Sequence, residues 1–395
     1  MKNTALFLCL LALVHVKVKA QQKKETYQFA NDINKAIAKD TLAWKYQMGA
    51  TAYSFSQHFA KAVQTWDKNG VAVPKITGAD SLYFKKFKAE NALTYIINRS
   101  KKERLIIINE AHHEARHRVF TTGLLQGLYN NGYRLLGLEA LADTLINKRG
   151  FAVVESGFYT QEPQMANLIA EALKIGFTVF GYEAEEGKNG KEREIAQAKN
   201  IAKVMAKNPN AKVLIHCGFD HVIEGTPGNK SWEKAMAGRL KEYTHIDPFT
   251  IDQVAYSPKG EVKYNSPYIS LTHGEMPLIM VAADGQTFNG PEGTDRTDCR
   301  IIHPVEQLNG GRPDWLSQGV RRRSYTVPKA KINTYPALVL AYRVNEHEKN
   351  GIPADIIEVS NKEAVANLIL AKGTYQLVIK NADYQITNQY QQEIK

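Results

Sequence analysis

Leu105-Ile106-Ile107-Ile108-Asn109-Glu110, followed at once by Ala111-His112-His113, reads as a buried strand that ends in groups able to bind a metal or move a proton. Three more stretches have the same form: Leu135-Leu136-Gly137-Leu138-Glu139, Thr178-Val179-Phe180-Gly181-Tyr182-Glu183, and Val213-Leu214-Ile215-His216 with His221 five residues on. Helical stretches follow them at about 113–129, 162–174, 192–206 and 232–241. Nearly all-apolar strands alternating with helices of that length are the pattern of a parallel sheet covered on both faces. Right-handed crossovers bring the strand ends to one edge of such a sheet, and ligands bind in the crevice beyond it. Residues scattered over more than a hundred positions are thereby expected to converge.

The flanks differ in texture. From 25 to about 99 the chain reads as helical, with Trp44, Met48, Tyr53, Phe55, Phe59, Val63 and Trp66 as its apolar residues and a break at 70–74. A second helical stretch is expected over 81–98, and both read as cover for the sheet. Beyond His273 the pattern is strand and loop, with strands expected at 277–282, 336–344, 355–359 and 375–380, a polar Gly-rich loop over 285–300, and the basic run Arg321-Arg322-Arg323. The expected fold is therefore α/β: a largely parallel sheet covered by helices, with an N-terminal helical segment (21–103), an α/β core (104–276) and a smaller β-rich C-terminal region (277–395). That last region is either a separate domain or an extension of the first sheet.

Residues 1–20 have Lys2, an apolar run from Ala5 to Val16 and a closing Val18-Lys19-Ala20, the form of a secretory signal peptide. The run is too short to span a bilayer core of about 30 Å, so an uncut anchor is the weaker reading. The protein is thus expected to be secreted, to a periplasm or the extracellular space, with no transmembrane segment after cleavage. Removing that segment removes three lysines and no acids, taking the formal charge from +11 to +8. A modest positive excess without a reader motif speaks against specific nucleic-acid binding. Cys217 and Cys299 then remain, too few for a disulfide scaffold, although one bridge between them is open.

Glu110-Ala111-His112-His113-Glu114-Ala115-Arg116-His117 packs three imidazoles and two carboxylates into eight residues where a strand hands over to a helix. Such ligands suit zinc and related ions, and without a metal a His held by a Glu serves as a general base on water. A polar helix start is the plainer account. His221 lies in the Gly-bounded loop 218–225, which has no apolar face for it to fill, and is the strongest single candidate. Glu139 and Glu183 close apolar strands, where a carboxylate must meet water, a cation or a partner. His113-Glu114-Ala115-Arg116-His117 is also literally H-E-x-x-H, the zinc-peptidase pattern, with Glu139 as the third ligand that reading would need. The chain has no G-x-S-x-G elbow, no phosphate-cradling glycine loop and no G-x-G-x-x-G, which argues against serine-hydrolase, P-loop and dinucleotide-binding classes.

In the order of these motifs the chain resembles the superfamily that joins the ChaN-like haem-uptake lipoproteins, the TIKI proteases and the erythromycin esterases. The resemblance covers roughly 105–228 and rests on Glu110, His112, His117, Glu139, Gly218 and His221, with Gly225 and Pro227 fitting the ChaN-like continuation. The chain departs from the pattern at Asn109, where the family usually has Gly, and in register, since esterase-type members place the first His one residue later, at His113. The resemblance implies a catalytic edge of His and Glu, metal-assisted in the protease branch and reliant on a His general base in the esterase branch. The haem-uptake branch implies binding without hydrolysis.

The expectation is accordingly a secreted hydrolase acting on an ester or amide in a small-molecule or peptide substrate. Glu110, His112 or His113, Glu139 and His221 would carry the chemistry, with Arg116 or Arg134 on the oxyanion. If a divalent metal is used, its ligands would come from His112, His117, Glu139 and His221. The alternative is a ChaN-like haem or metal-chelate binder, for which Tyr182 and Glu183 are the candidate cofactor contacts. A third is that the C-terminal region acts as an interaction domain, with the arginine run on its surface.

Overall fold

The computed structural model describes residues 25–395 apart from 140, 295 and 320, so the expected signal peptide lies outside the described residues. Among those described, eight strands form one sheet: β1 (Lys88–Asn91), β2 (Leu105–Glu110), β3 (Tyr133–Leu138), β4 (Thr178–Gly181), β5 (Lys212–Gly218), β6 (Phe249–Tyr256), β7 (Leu278–Val281) and β8 (Cys299–Ile302). Their spatial order is β1-β7-β8-β6-β2-β5-β3-β4. From β8 to β4 every pairing is parallel, and β7 and β1 add antiparallel pairings at one edge. All six residues of β2 are buried, as a strand flanked by β5 and β6 and covered on both faces requires.

Alternation within β2 sorts its side chains. Ile106 and Ile108 join the core under α6 (Ala115–Asn130) and α8 (Pro163–Ile175), whereas Leu105 and Ile107 pack with α9 (Gly190–Lys207) and α10 (Met236–Thr244). Register then aligns the functional ends: Glu110 pairs with Gly218, and His216 lies between Ile108 and Leu138. Gly137 and Gly181 permit the close layering around β3 and β4, since a Cβ on Gly137 would meet Ile215 Cδ1 at 2.6 Å and one on Gly181 would collide with the Leu141 carbonyl.

The N-terminal helices are α1 (Ala30–Lys39), α2 (Lys45–Phe55) and α3 (Phe59–Asp67), followed by α4 (Gly78–Phe84) and α5 (Ala92–Arg99). The helix expected over 81–98 is broken. Asn91 accepts a hydrogen bond from Thr94 N at 3.0 Å and caps α5, while the lysine-rich segment before it pairs as β1 with β7. Helical periodicity could not show this, because β1 is an exposed edge strand with no apolar face. The boundary of the core also moves. The segment expected to open the C-terminal region, and the end of the polar loop after it, are β7 and β8 of the main sheet.

What remains beyond Ile302 is the smaller β-rich region, a four-stranded antiparallel sheet in the order Asp355–Val359, Ala337–Arg343, Gly373–Lys380, Ile386–Ile394, with Arg322–Thr326 paired to Asn367–Ala371. It shares the α6/α8 core through Leu338, Leu340 and Ile356, so it is packed on the α6/α8 face of the main sheet. Of the arginine run, Arg321 and Arg323 are exposed as expected, whereas Arg322 reaches inward to Gln164 Oε1 at 2.5 Å. Cys217 and Cys299 are both buried and free, and no described helix is long and apolar enough to cross a membrane.

Arg312 ties three segments together, donating to Asp355 at 2.5 Å, to Gln57 at 3.1 Å and to the Ile356 carbonyl at 3.0 Å in a buried setting. Removing it strands the Asp355 carboxylate, whose pKa burial already pushes up. An Arg312→Met variant should lose about 3 kcal/mol of stability in urea unfolding, as expected for one partner deleted from a buried ion pair. A loss under about 1 kcal/mol would mean that Asp355 is held by something else.

Candidate active site

The edge formed by the ends of β2, β5, β3 and β4 is built around Glu110, which is 1 % exposed and surrounded by donors. Arg118 donates to both of its oxygens at 2.6 Å, His216 Nε2 meets Oε2 at 2.8 Å, and His112 Nδ1 meets Oε1 at 2.8 Å. Burial raises the Glu110 pKa, but the Arg118 charge and the two imidazole hydrogen bonds outweigh it and hold the group well below the usual carboxylate range. Arg118, wholly buried in the first half of α6, is in turn held by Glu162 at 2.9 Å, and Glu162 caps α8 through Met165 N at 2.9 Å. With Nδ1 committed to Glu110, His112 presents Nε2 to the cleft. Its ring is clamped by Tyr159, stacked at 3.8 Å, and by the edge of Phe219 at 5.2 Å.

Gly218 decides what Nε2 faces. A Cβ there would lie 2.5 Å from His112 Nε2 and 3.0 Å from Glu139 Oε2, so glycine is what lets imidazole and carboxylate approach one another over the end of β5. Glu139 Oε2 also accepts the Gly218 N–H, and Oε1 accepts from Arg193 at 2.6 Å, with His221 Nε2 3.6 Å away. Burial opposes its charge, yet His221, His112 and Arg193 together bring its pKa down to about 2. The cleft, about 530 Å³, is lined by these groups and by Glu183, Tyr159 and Trp232.

Arg193 is the hub of its far wall. It donates through Nε and Nη2 to Glu183 at 3.0 and 2.5 Å, through Nη2 to Glu139, and through Nη1 to His221 Nε2 at 2.9 Å. Of its five N–H hydrogens one, on Nη1, has no partner in this set. His221 is stacked on Trp232 at 4.8 Å, and its Nδ1 bonds the buried Glu194 at 2.9 Å. Burial lowers the His221 pKa, but Glu139 and Glu194 more than reverse this and raise it. The Arg193 contact pulls the other way, since Nε2 can accept from a guanidinium only when it carries no proton.

The structure chooses between the adjacent histidines. His112 faces the cleft; His113 is turned away, stacked on Trp66 at 4.0 Å and lining a separate cavity with Glu114. His117, also placed among the metal ligands by sequence, is fully buried in that second region. Its Nδ1 accepts from Ala111 N at 3.0 Å and its Nε2 lies 3.5 Å from Glu114, far from the Glu139 cleft. The ligand set His112, His117, Glu139, His221 therefore does not converge, and no cluster among the described residues has the arrangement of a metal site. Between Glu139, Glu183 and His221 the position a cation would take is filled by the Arg193 guanidinium. H-E-x-x-H fails on local grounds as well, because α6 begins only at Ala115 and its supposed third ligand, Glu139, lies in the other cleft.

Tyr182 is corrected too. It is 1 % exposed and donates its hydroxyl to the His216 carbonyl at 3.1 Å, so it offers nothing to a haem, while Glu183 does line the cleft, bound by Arg193 and Gln197. Arg116 bonds the Pro304 carbonyl at 2.6 Å and Arg134 bonds the Tyr129 carbonyl at 2.7 Å, both away from the cleft. Sequence reasoning missed Arg118, Arg193 and Glu194 as site residues and gave His216, quoted as a strand end, no role. The charged helix held one signal. Arg193, Gln197 and Asn200 recur at helical spacing and all point at the end of β4, beside a stripe of Ala198, Ile201 and Met205 that faces the core.

No protein-family model matches the chain, and no curated protein does. Among solved structures it is similar to the type III effector HopBA1, at 9% identity and a TM-score of 0.35 over 58% of this chain and 99% of that one. It is also similar to RRSP, a MARTX toxin effector domain from Vibrio vulnificus CMCP6, at 12% identity and a TM-score of 0.29 over 63% of this chain and 49% of that one. Likeness at this level carries no argument about fold or function.

The second histidine group has a measurable consequence. Burial first of all pushes the His113 pKa down to about 3, from 6.5 when exposed. Between those values the unfolded chain binds more protons than the native one, so this stability is present near neutral pH and lost as pH falls from about 6.5 towards 3. Over about pH 5 to 6.5, where the other titrating groups contribute alike to both proteins, His113→Gln should flatten the stability profile by up to about 1.4 kcal/mol per pH unit. His221, raised and of opposite slope, is unaltered in that comparison. An unchanged slope in urea unfolding would show that His113 is charged in the fold.

Proposed function

We propose that this protein is a hydrolase of ester or amide substrates in which the His112–Glu110 pair, without a metal ion, acts as general base on water. One observation carries the reading: His112 Nδ1 is committed to a buried, ionised Glu110 while Nε2 faces the open cleft opposite Glu139. That is the arrangement which fixes one tautomer and leaves the other nitrogen free to take a proton. Glu110 stabilises the imidazolium that forms, and Arg118 and Glu162 keep the pair from turning.

In the proposed reaction a water in the cleft gives a proton to His112 Nε2 as its oxygen bonds to the substrate carbonyl carbon. Electrons move onto the carbonyl oxygen, which the remaining Nη1 hydrogen of Arg193 stabilises. Collapse of the tetrahedral species breaks the bond to the leaving oxygen or nitrogen, which takes the proton back from His112. Glu139, held ionised, positions the water and the guanidinium. The aromatic faces of Tyr159, Phe219 and Trp232 wall the cleft, restrict water and offer contact to apolar parts of a substrate.

His112→Gln should lower kcat on any turned-over ester or peptide amide by about 10²–10⁴-fold with KM little changed, the range for loss of a general base. His113→Gln should leave kcat within about threefold. The decisive measurement is turnover of a panel of activated esters and peptide amides after exhaustive chelation. Activity lost with the chelator and restored by zinc would reject the metal-free mechanism. Saturable hemin binding with a shifted Soret band, abolished by His221→Ala and accompanied by no hydrolysis, would reject the enzyme.

Arg193 has its own signature. Arg193→Met leaves Glu139 without its nearest cation and removes the proposed oxyanion donor, so kcat should fall by about 10²–10³. A change confined to KM would make Arg193 a substrate anchor only.

A further inference from the structure

A second cavity lies on the other side of the His112–His113 turn. About 230 Å³ in volume, it is bounded by the apolar side chains of Phe59, Val63, Val305 and Trp315, and its polar end is made by Glu114 and Lys259. Voids of roughly 150 Å³ lined by apolar groups are large enough to take benzene. What distinguishes this one is its polar end. Glu114 is 5 % exposed and commits one oxygen, Oε2, to the Ser257 hydroxyl, with His117 Nε2 3.5 Å away, while Oε1 has no hydrogen-bond partner among the described residues. Lys259 Nζ stands 3.9 Å from that oxygen, beyond hydrogen-bond reach, and His113 Nε2 at 3.8 Å. His113 Nδ1 is likewise buried and unpartnered.

An unpaired acceptor on a buried carboxylate costs stability unless a donor reaches it. The charges choose that donor's nature. Glu114 and Lys259 balance each other, and Arg116 is answered by Glu306 at 3.4 Å and the Pro304 carbonyl at 2.6 Å. An anionic guest would meet Glu114, and a cationic one Lys259. A neutral hydroxyl satisfies both, donating O–H to Glu114 Oε1 and accepting from Lys259 Nζ. The Trp315 indole N–H is already spent on Glu306 at 2.9 Å, leaving its ring as apolar wall.

We infer that this cavity is a binding site for a small, uncharged, apolar molecule bearing a hydroxyl group, with Glu114 and Lys259 reading the hydroxyl and Phe59, Val63 and Trp315 enclosing the body. The site is separate from the His112 cleft and does not rest on the hydrolase reading.

The test is calorimetric titration and thermal shift of the purified protein with phenol and benzyl alcohol. Toluene, benzoate and benzylamine serve as apolar, anionic and cationic comparisons. Phenol should bind one to one and raise the melting temperature. Glu114→Gln should weaken it by about tenfold, the worth of a hydrogen bond to a charged acceptor. Val63→Phe, at a half-buried helix position, should leave the melting temperature of the free protein within a few degrees and abolish binding by filling the space. Equal affinity for toluene and phenol, or phenol binding indifferent to Val63→Phe, would overturn the inference. So would benzoate or benzylamine binding more tightly than phenol, or zinc binding that is lost in His113→Gln.

Discussion

The buried carboxylate of Glu110 is the constraint from which the rest of the site follows. It ends the central strand of an eight-stranded sheet, where no water can solvate it, and it stays charged only because Arg118 grips both oxygens and two imidazoles donate to it. A buried ion pair of this kind contributes little net stability over an apolar core, and breaking it is costly. Its use here is geometric. Arg118 reaches on to Glu162, the cap of α8, so the first turn of α6, the start of α8 and the end of β2 are locked into one arrangement that aims His112 at the cleft.

Two consecutive histidines with opposite fates follow from the same lock. The chain turns sharply between the end of β2 and the start of α6, and one side chain of each adjacent pair falls on either side of that turn. His112 remains tied to Glu110 and open to the cleft. His113 is carried behind Phe219 and Trp66 into a region where burial keeps imidazoles neutral, as it does for His117 and His303. Residues that look like one ligand cluster in the sequence thus belong to two cavities with different chemistry.

The cleft itself answers its negative charge from within. Glu139 and Glu183 approach closely enough to repel, and the Arg193 guanidinium, in contact with both and with His221, is the cation that makes their proximity tolerable. A planar group with five donors can satisfy two carboxylates and an imidazole at once, which a lysine in its place could not do. This arrangement lets Glu139 stay ionised beside a histidine, and it leaves one Nη1 hydrogen of Arg193 without a partner among these groups, on a side chain that lines the cleft.

The strands β2 to β5, their covering helices and the edge on which Glu110, His112, Glu139, Glu183 and His221 meet were legible in the sequence. Runs of apolar residues closed by a charge have few other physical explanations in a covered parallel sheet. The edge strand β1 was not legible, because Lys88-Ala89-Glu90-Asn91 carries no apolar period and its identity depends on β7 far along the chain. Nor was the membership of β7 and β8 in the main sheet, which is a matter of pairing. The choice of His112 over His113, the exclusion of His117 and Tyr182, and the roles of Arg118 and Arg193 rested wholly on tertiary structure. The physical reason is that local sequence determines which face or end of an element a residue occupies, while the direction of a long charged side chain is set by whichever distant partner best compensates its burial.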